Sequence, residues 1–369
     1  VGGHSLIPDL TDESVRRDEV PWRRWITLIV ACVILIAMGV ALFRMPVPYL
    51  VASPGVALNT LGDHDDEPII QVDGRESFQH DEGGLAMVTV QYVGGPNHRI
   101  DLLTALSGWI APTSAVLPEE AVFPPGRTVE EVSEDQTLMM DSSQKLAVAA
   151  ALSHLDIDYS EVPVVRDVPD DMPAHGVLEP EDVLTEVDGD PVEGQDDAAQ
   201  RIRDREPGDS VEITVKRDGE TEDLSVPTVD DGEGNAVIGI LIDSDMEFPF
   251  DVDISVGEIG GPSAGMMFSL GIIDRLSEES ITGDHYVAGT GTITPQGDVG
   301  GVSGVAQKMV SAERQGAEYF LVAAESCSQT LESAAQDIRV VPVETLDEAT
   351  STLDVIRDDG DTDALPTCQ

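Results

Sequence analysis

"EIGGPSAGMMFSLGIIDRL", residues 258–276, opens on two glycines, a proline and a serine and then turns almost wholly apolar. A surface helix shows one apolar stripe and one polar face. Here Ala264, Met266, Met267, Phe268, Leu270, Ile272 and Ile273 cover most of the circumference, so this helix is expected to be buried. Its first turn presents Ser263 where backbone N–H groups lack partners. Three roles suit a serine there: an N-cap, part of a phosphate cradle, or a nucleophile with the helix N-terminus as its oxyanion hole.

Around this helix the chain alternates strands and helices. "AVIGILID", "FDVDISVG", "EYFLVAA" and "IRVVPV" read as strands. "SGVAQKMVSAERQG", stopped by Gly316, "SQTLESAAQD" and "TLDEATSTLDVI" read as helices. Residues 233–369 are therefore expected to form an α/β domain.

The charge is extreme. Seventy-one acids face 20 bases, for a net charge of −51. Nucleic-acid binding through a basic surface is excluded on that count. The acids are scattered among apolar runs, which a disordered acidic chain would lack. Such a composition suits high salt, where the screening length falls to about 3 Å at 1 M and self-repulsion is muted. Lysines number three, Lys145, Lys216 and Lys308, and cysteines three, Cys32, Cys327 and Cys368, with no zinc-type spacing. Neither a metal nor a cofactor is implied. Cys327 and Cys368 are free to pair, but nothing in the sequence argues that they do.

"WRRWITLIVACVILIAMGVALFRM" is the one membrane-length stretch. Ile26–Phe43 is 18 residues without a charge, the threshold for a spanning helix. Arg16, Arg17, Arg23 and Arg24 precede it, and Trp22 and Trp25 sit at the interface position. The arginine asymmetry places residues 1–25 in the cytoplasm, the helix at 26–45 and the rest outside. A cleaved signal peptide and a buried soluble helix are the weaker alternatives: no small-residue cleavage site follows, and the flanks are those of a span.

Residues 46–140 read as ordered and mixed, of unknown role. "LAMVTVQYV" is strand-like, "RIDLLTALSGWI" helix-like, and "LPEEAVFPPGRTVEEVSED" a proline- and acid-rich connection. "DSSQKLAVAAALSHL" starts a helix at Asp141, with Gln144 three residues on in a capping-box pattern. After it come a small-residue turn (Pro173, Ala174, His175, Gly176), the strand "DVLTEVDG", the helix "GQDDAAQRIRD", the turn "EPGD" and the strands "VEITVKRDG" and "TEDLSVPTV". That order resembles a bacterial PDZ domain, placed at 141–232. The resemblance implies a groove that takes peptides by strand addition; in bacteria such domains often serve proteases as substrate sensors.

A serine nucleophile needs a base. His285 is the only histidine in the C-terminal domain and lies in a polar turn; a Ser–His–Asp triad through it stays open. Lys308 is the other candidate, on a helix with Val305, Met309 and Ala312 on the same face. A lysine in an apolar setting loses proton affinity and can serve as a base, whereas a lysine at a helix edge would snorkel to water. The residues alone leave the two readings even. Ser303 is a rival nucleophile by nearness in sequence and reads better as a turn or cap residue. A phosphate cradle is disfavoured, because no lysine or arginine lies in or just after the glycine turn.

"GGPSAG" and the later "AGTGTITPQGDVGGVSGVAQKMVSAERQGAEYFLV" together resemble the proteolytic domain of Lon proteases. The resemblance implies a Ser–Lys dyad, with Ser263 as nucleophile and Lys308 as general base. It implies that Thr290 orients the lysine and that Gly261 and Pro262 shape the turn. Two departures stand out. Many Lon proteases carry an acid where this chain has Gly260, and no G-x-x-x-x-G-K-[ST] loop for ATP is present. The order of membrane helix, PDZ domain and Lon-type domain is similar to membrane-anchored PDZ/Lon-like proteases of Gram-positive bacteria. The implied architecture is α/β and α+β multidomain. The implied function is an ATP-independent, membrane-tethered serine endopeptidase acting outside the cell on proteins chosen in part by the PDZ groove, and Lon-type domains usually work as homo-oligomeric rings. The competing reading is an inactive scaffold that binds peptides.

Overall fold

The computed structural model describes residues 22–64, 67–80, 82–217, 219–257 and 259–368. Helix α1 (Trp22–Phe43) is long and apolar enough to cross a membrane, with an 18-residue window of mean hydropathy 3.0 and none of that window buried. It fits a single-pass membrane protein. Arg16, Arg17 and the rest of residues 1–21 lie outside the described residues.

The principal sheet has six strands, in the order Arg339–Val343, Tyr319–Ala323, Tyr286–Thr290, Gly84–Gly94, Tyr49–Asn59 and Ala115–Pro118. The first four run parallel. The last two add on antiparallel. Three of the six strands come from the stretch 46–140. Leu61, Ile69, Leu85 and Met87 from that stretch share one core with Met266, Phe268, Leu270, Leu321 and Val341. Neither the sheet nor the core breaks at 140/141 or at 232/233, where the sequence suggested boundaries. The parallel pairing of Gly84–Met87 with Tyr286–Gly289 joins segments far apart in sequence, and no local pattern announces it.

Helix α2 (Leu102–Ile110) packs over the sheet through Ala105 and Gly108. Helix α3 (Val129–His154) begins well before the expected Asp141. Thr128 is its N-cap and makes the reciprocal capping box with Glu131: the Glu131 N–H donates to Thr128 Oγ1 at 3.1 Å and the Thr128 N–H to Glu131 Oε2 at 2.7 Å. Residues 129–141 hold no glycine or proline, so nothing interrupts the helix before Asp141. The acid-rich connection read from sequence thus ends at Thr128.

A second sheet is antiparallel throughout, in the order Glu220–Pro227, Ser210–Arg217, Val183–Val187, Ser160–Asp167 and Leu241–Glu247. Helix α4 (Gln195–Arg203) covers it with Ala198 and Ile202, within a separate core that includes Val165, Leu184, Ile213 and Val226. The first and last strands of this module, Ser160–Asp167 and Leu241–Glu247, pair with each other. The chain therefore leaves and re-enters the larger domain at one place, marked by the edge-to-face contact of Tyr159 and Phe248 at 5.6 Å. Lys145 of α3 is tied to Asp245 of the module at 2.8 Å.

Helix α5 (Gly265–Leu276) is buried along its length, as its apolar circumference predicts. It lies between the principal sheet and α3. Helix α6 (Val305–Arg314) covers the other face of that sheet. The helix expected over residues 328–337 reduces to α7 (Cys327–Thr330). Beyond it the Ser333 hydroxyl donates to Ala306 O at 2.9 Å and accepts the Ala335 N–H at 3.2 Å, a local bonding that competes with helix. Cys327 is disulfide-bonded to Cys368. Helix α8 (Leu346–Arg357) completes the domain, capped by Thr345.

A net charge of −51 on this frame is expected to make folding sensitive to salt. The thermal midpoint is expected to climb by roughly 10 °C or more as KCl rises from about 0.1 to about 2 M. Thermal melts read by circular dichroism check this, and a midpoint indifferent to salt would give the acidity another cause.

Candidate active site

The glycine turn before α5 is built by contacts that only glycine permits. Gly261 has φ +93°, in the left-handed region. A Cβ on Gly260 would stand 2.8 Å from Gln136 Cβ and 3.2 Å from the Gln136 carbonyl, so an acid at this position collides with α3. The Gly261 N–H donates to Gln136 O at 2.8 Å.

Ser263 is not the N-cap of α5; Ala264 occupies that position and makes no side-chain cap. Ser263 stands one residue earlier, with its hydroxyl turned to Lys308. Lys308 Nζ lies 2.8 Å from Ser263 Oγ and 2.9 Å from Thr290 Oγ1. Thr290, at the end of the Tyr286–Thr290 strand, donates its own hydroxyl to Ser263 O at 2.9 Å. Lys308 is 4% exposed. Burial lowers its pKa from the ordinary lysine value to about 8. The snorkelling alternative does not hold, because the amine points into the protein between two hydroxyls.

Two further groups, unseen in the sequence, set the peptide planes around Ser263. Buried Ser143 of α3 donates to Pro262 O at 3.1 Å. The Gly291 N–H donates to Ser263 O at 3.0 Å. In a trans peptide, the C=O and the following N–H point in opposite directions. Holding the carbonyls of Pro262 and Ser263 therefore directs the N–H groups of Ser263 and Ala264 away from those anchors. Among the described residues no backbone carbonyl takes either N–H. Only the sequence interval between α3 and the glycine turn hid Ser143 and Gln136; no spacing signal links them.

Ser263 and Lys308 line a cleft of about 470 Å³. The Val88–Tyr92 stretch of the Gly84–Gly94 strand forms part of its wall, and Gln136, Met140 and Gly261 line it as well. That strand pairs with Tyr286–Gly289 only as far as Met87, so the wall continues beyond the end of the pairing. Ser303 is an exposed member of the cleft wall, and the side-chain hydrogen bonds of Lys308 go to Ser263 and Thr290 instead. His285 precedes the strand that ends at Thr290, roughly 16 Å away by strand rise. Its ring faces Glu318 at 3.0 Å and Asp359 at 3.5 Å. The structure does not bring it to Ser263.

Comparisons with known proteins find two families in the chain. A family model for the Lon protease (S16) C-terminal proteolytic domain matches residues 248–354, and one for the PDZ domain matches residues 137–228. The chain joins a PDZ domain to a Lon-type proteolytic domain. Residues 248–354 are a Lon-type proteolytic domain by that match. The crystal structure of the PDZ domain of the SdrC-like protein from Listeria innocua is 32% identical, covering 22% of this chain and 92% of that one at a TM-score of 0.21. Its counterpart from Listeria monocytogenes is 31% identical, covering 23% and 90% at 0.22. No curated protein matches the chain. The PDZ match ends within the antiparallel module, and the Lon-type match begins where the chain returns from it at Phe248.

Proposed function

We propose that this chain is an ATP-independent, membrane-tethered, Lon-like serine endopeptidase that works through a Ser263–Lys308 dyad. The observation that carries the proposal is a buried amine, its pKa lowered to about 8, set 2.8 Å from a serine hydroxyl. Neutral Lys308 takes the proton of Ser263 Oγ as the oxygen attacks the scissile carbonyl. The N–H groups of Ser263 and Ala264 receive the oxyanion. The lysine ammonium then returns its proton to the leaving amine, freeing it and leaving an acyl-serine. Water, deprotonated by Lys308, attacks the acyl carbon; the ester bond breaks, the acid leaves, and Lys308 returns the proton to Ser263 Oγ. Thr290 holds the amine in line, while Gly261 and Pro262 set the turn. The substrate backbone lies extended along Val88–Tyr92, taking strand-type hydrogen bonds, and the PDZ groove holds a second part of the same chain.

Two observations support placing the protease outside the cytoplasm. Arg16 and Arg17 precede α1, and Arg23 and Arg24 stand in its first turn. The Cys327–Cys368 disulfide suits an oxidising compartment. The chain carries no Walker loop, and the proposal has cleavage proceed without nucleotide. Hydrolysis of peptides and unfolded proteins by the full chain in nanodiscs tests it, with and without ATP and Mg²⁺. Stimulation by ATP, or no hydrolysis by the folded protein, would overturn it.

The lowered pKa also has a stability consequence. Between pH 8 and the ordinary lysine value of 10.5, the unfolded chain holds a proton that folded Lys308 has lost, so stability rises with pH across that window. At neutral pH the full cost is present, about 3 kcal/mol by the size of the shift. Lys308→Met is therefore expected to stabilise the protein at pH 7 by up to about 3 kcal/mol and to flatten the dependence between pH 8 and 10.5. Urea unfolding at both ends of that window measures it.

A further inference from the structure

Helix α2 is apolar except for Thr104 and Ser107, and it is covered on one side only. Ala105 and Gly108 press on the sheet, where a Cβ on Gly108 would stand 2.9 Å from Val51. On the open side Leu103 is 56%, Trp109 77% and Ile110 79% exposed. No charged residue occurs in α2, although a quarter of the chain is charged. A helix that exposes large apolar residues on its open side calls for something to cover them.

Its place in the fold says what covers it. The residues just after α1 are bonded to the start of α2: the Leu102 N–H donates to Met45 O at 3.1 Å, and the Val47 N–H to Ile100 O at 2.9 Å. Pro46 and Asp101 form a bridge between them. A nine-residue helix is about 13 Å long. Trp109 and Ile110 thus stay within about that distance of the end of the apolar helix. Tyr49, on the neighbouring strand at the same end, is exposed as well. Tryptophan and tyrosine gather at the headgroup level of bilayers, where one end of the ring is apolar and the other wet.

We propose that α2 lies on the membrane surface, with Leu103, Trp109 and Ile110 seated at the headgroup–acyl boundary of the bilayer that α1 crosses. The inference rests on α1 being the membrane anchor. Bound this way, the helix fixes the protease domain against the bilayer at a second point instead of leaving it to swing on the chain after Phe43.

The chain has three tryptophans, Trp22, Trp25 and Trp109. The full chain carrying Trp22→Phe and Trp25→Phe leaves Trp109 as the single reporter. It is reconstituted into phosphatidylcholine vesicles with and without brominated acyl chains, and flotation first scores whether α1 has integrated. Trp109 emission is expected to be roughly two-fold or more lower in the brominated vesicles, and shielded from aqueous acrylamide. Emission unaffected by bromine but quenched by acrylamide places α2 in water and overturns the proposal. Emission unaffected by both means that protein, such as a second copy of the chain, covers the helix, and this also overturns it. Failure to float removes the anchor itself and the proposal with it, and is told apart from the other failures by that readout.

Discussion

Ser263→Ala and Lys308→Ala are each expected to lower kcat by at least about three orders of magnitude, and the double variant is expected to be no worse than either single one. The reason is the shared proton. Among the described residues the base bonded to Ser263 Oγ is Lys308 Nζ, at 2.8 Å. Lys308→Arg should be as inactive as Lys308→Ala, because a guanidinium stays protonated and cannot act as a base. In the unaltered protein, kcat/KM should rise with pH through about 8, as Lys308 loses its proton. Ser263→Ala should still bind peptide, which separates lost chemistry from lost folding. His285→Ala should stay within about two-fold of the parent, since its ring faces Glu318 and Asp359 at the other end of the strand. Steady-state kinetics on a fluorogenic peptide reads all of these. A dead His285→Ala beside an active Lys308→Ala would discard the dyad.

Excision of Ser160–Glu247 is expected to divide the substrates into two groups. Short fluorogenic peptides should be cut within about three-fold of the parent rate, because Ser263, Lys308 and α3 remain. Cleavage of unfolded proteins should fall by roughly ten-fold or more, mainly through KM, because a tethered second site no longer raises the local concentration of chain near Ser263. The limits come from the pairing of Ser160–Asp167 with Leu241–Glu247, and from the Tyr159–Phe248 contact that brings the cut ends together. Cutting instead at Val164, inside that pairing, and at Thr228 would leave Leu241–Asp243 without partners. Such an edge invites aggregation. Equal cleavage of both substrate groups before and after the Ser160–Glu247 excision would remove the PDZ module from substrate choice.

The sequence by itself determined what depends on neighbours along the chain. The apolar circumference of residues 265–276 required a buried helix, and that helix is buried. Eighteen uncharged residues behind arginines and tryptophans marked the membrane-length helix. The turn, strand and helix order of the PDZ module was legible, and so were the two motifs that hold Ser263 and Lys308, because each is a short local pattern. Tertiary structure decided what depends on distant segments. Nothing local shows that Gly84–Met87 runs beside Tyr286–Gly289, that the stretch 46–140 supplies half the principal sheet, or that the PDZ module interrupts the domain it serves. The sequence left a snorkelling and a buried Lys308 evenly matched, and left the pairing of Cys327 with Cys368 open. Folding settled both, because burial and proximity exist only once α6 lies on the sheet and the C-terminal segment returns to α7. Ser143 shows the same division. In the sequence it is one serine in a helix, and only the packing of α3 against the glycine turn puts its hydroxyl on Pro262 O, where it fixes the direction of the Ser263 N–H.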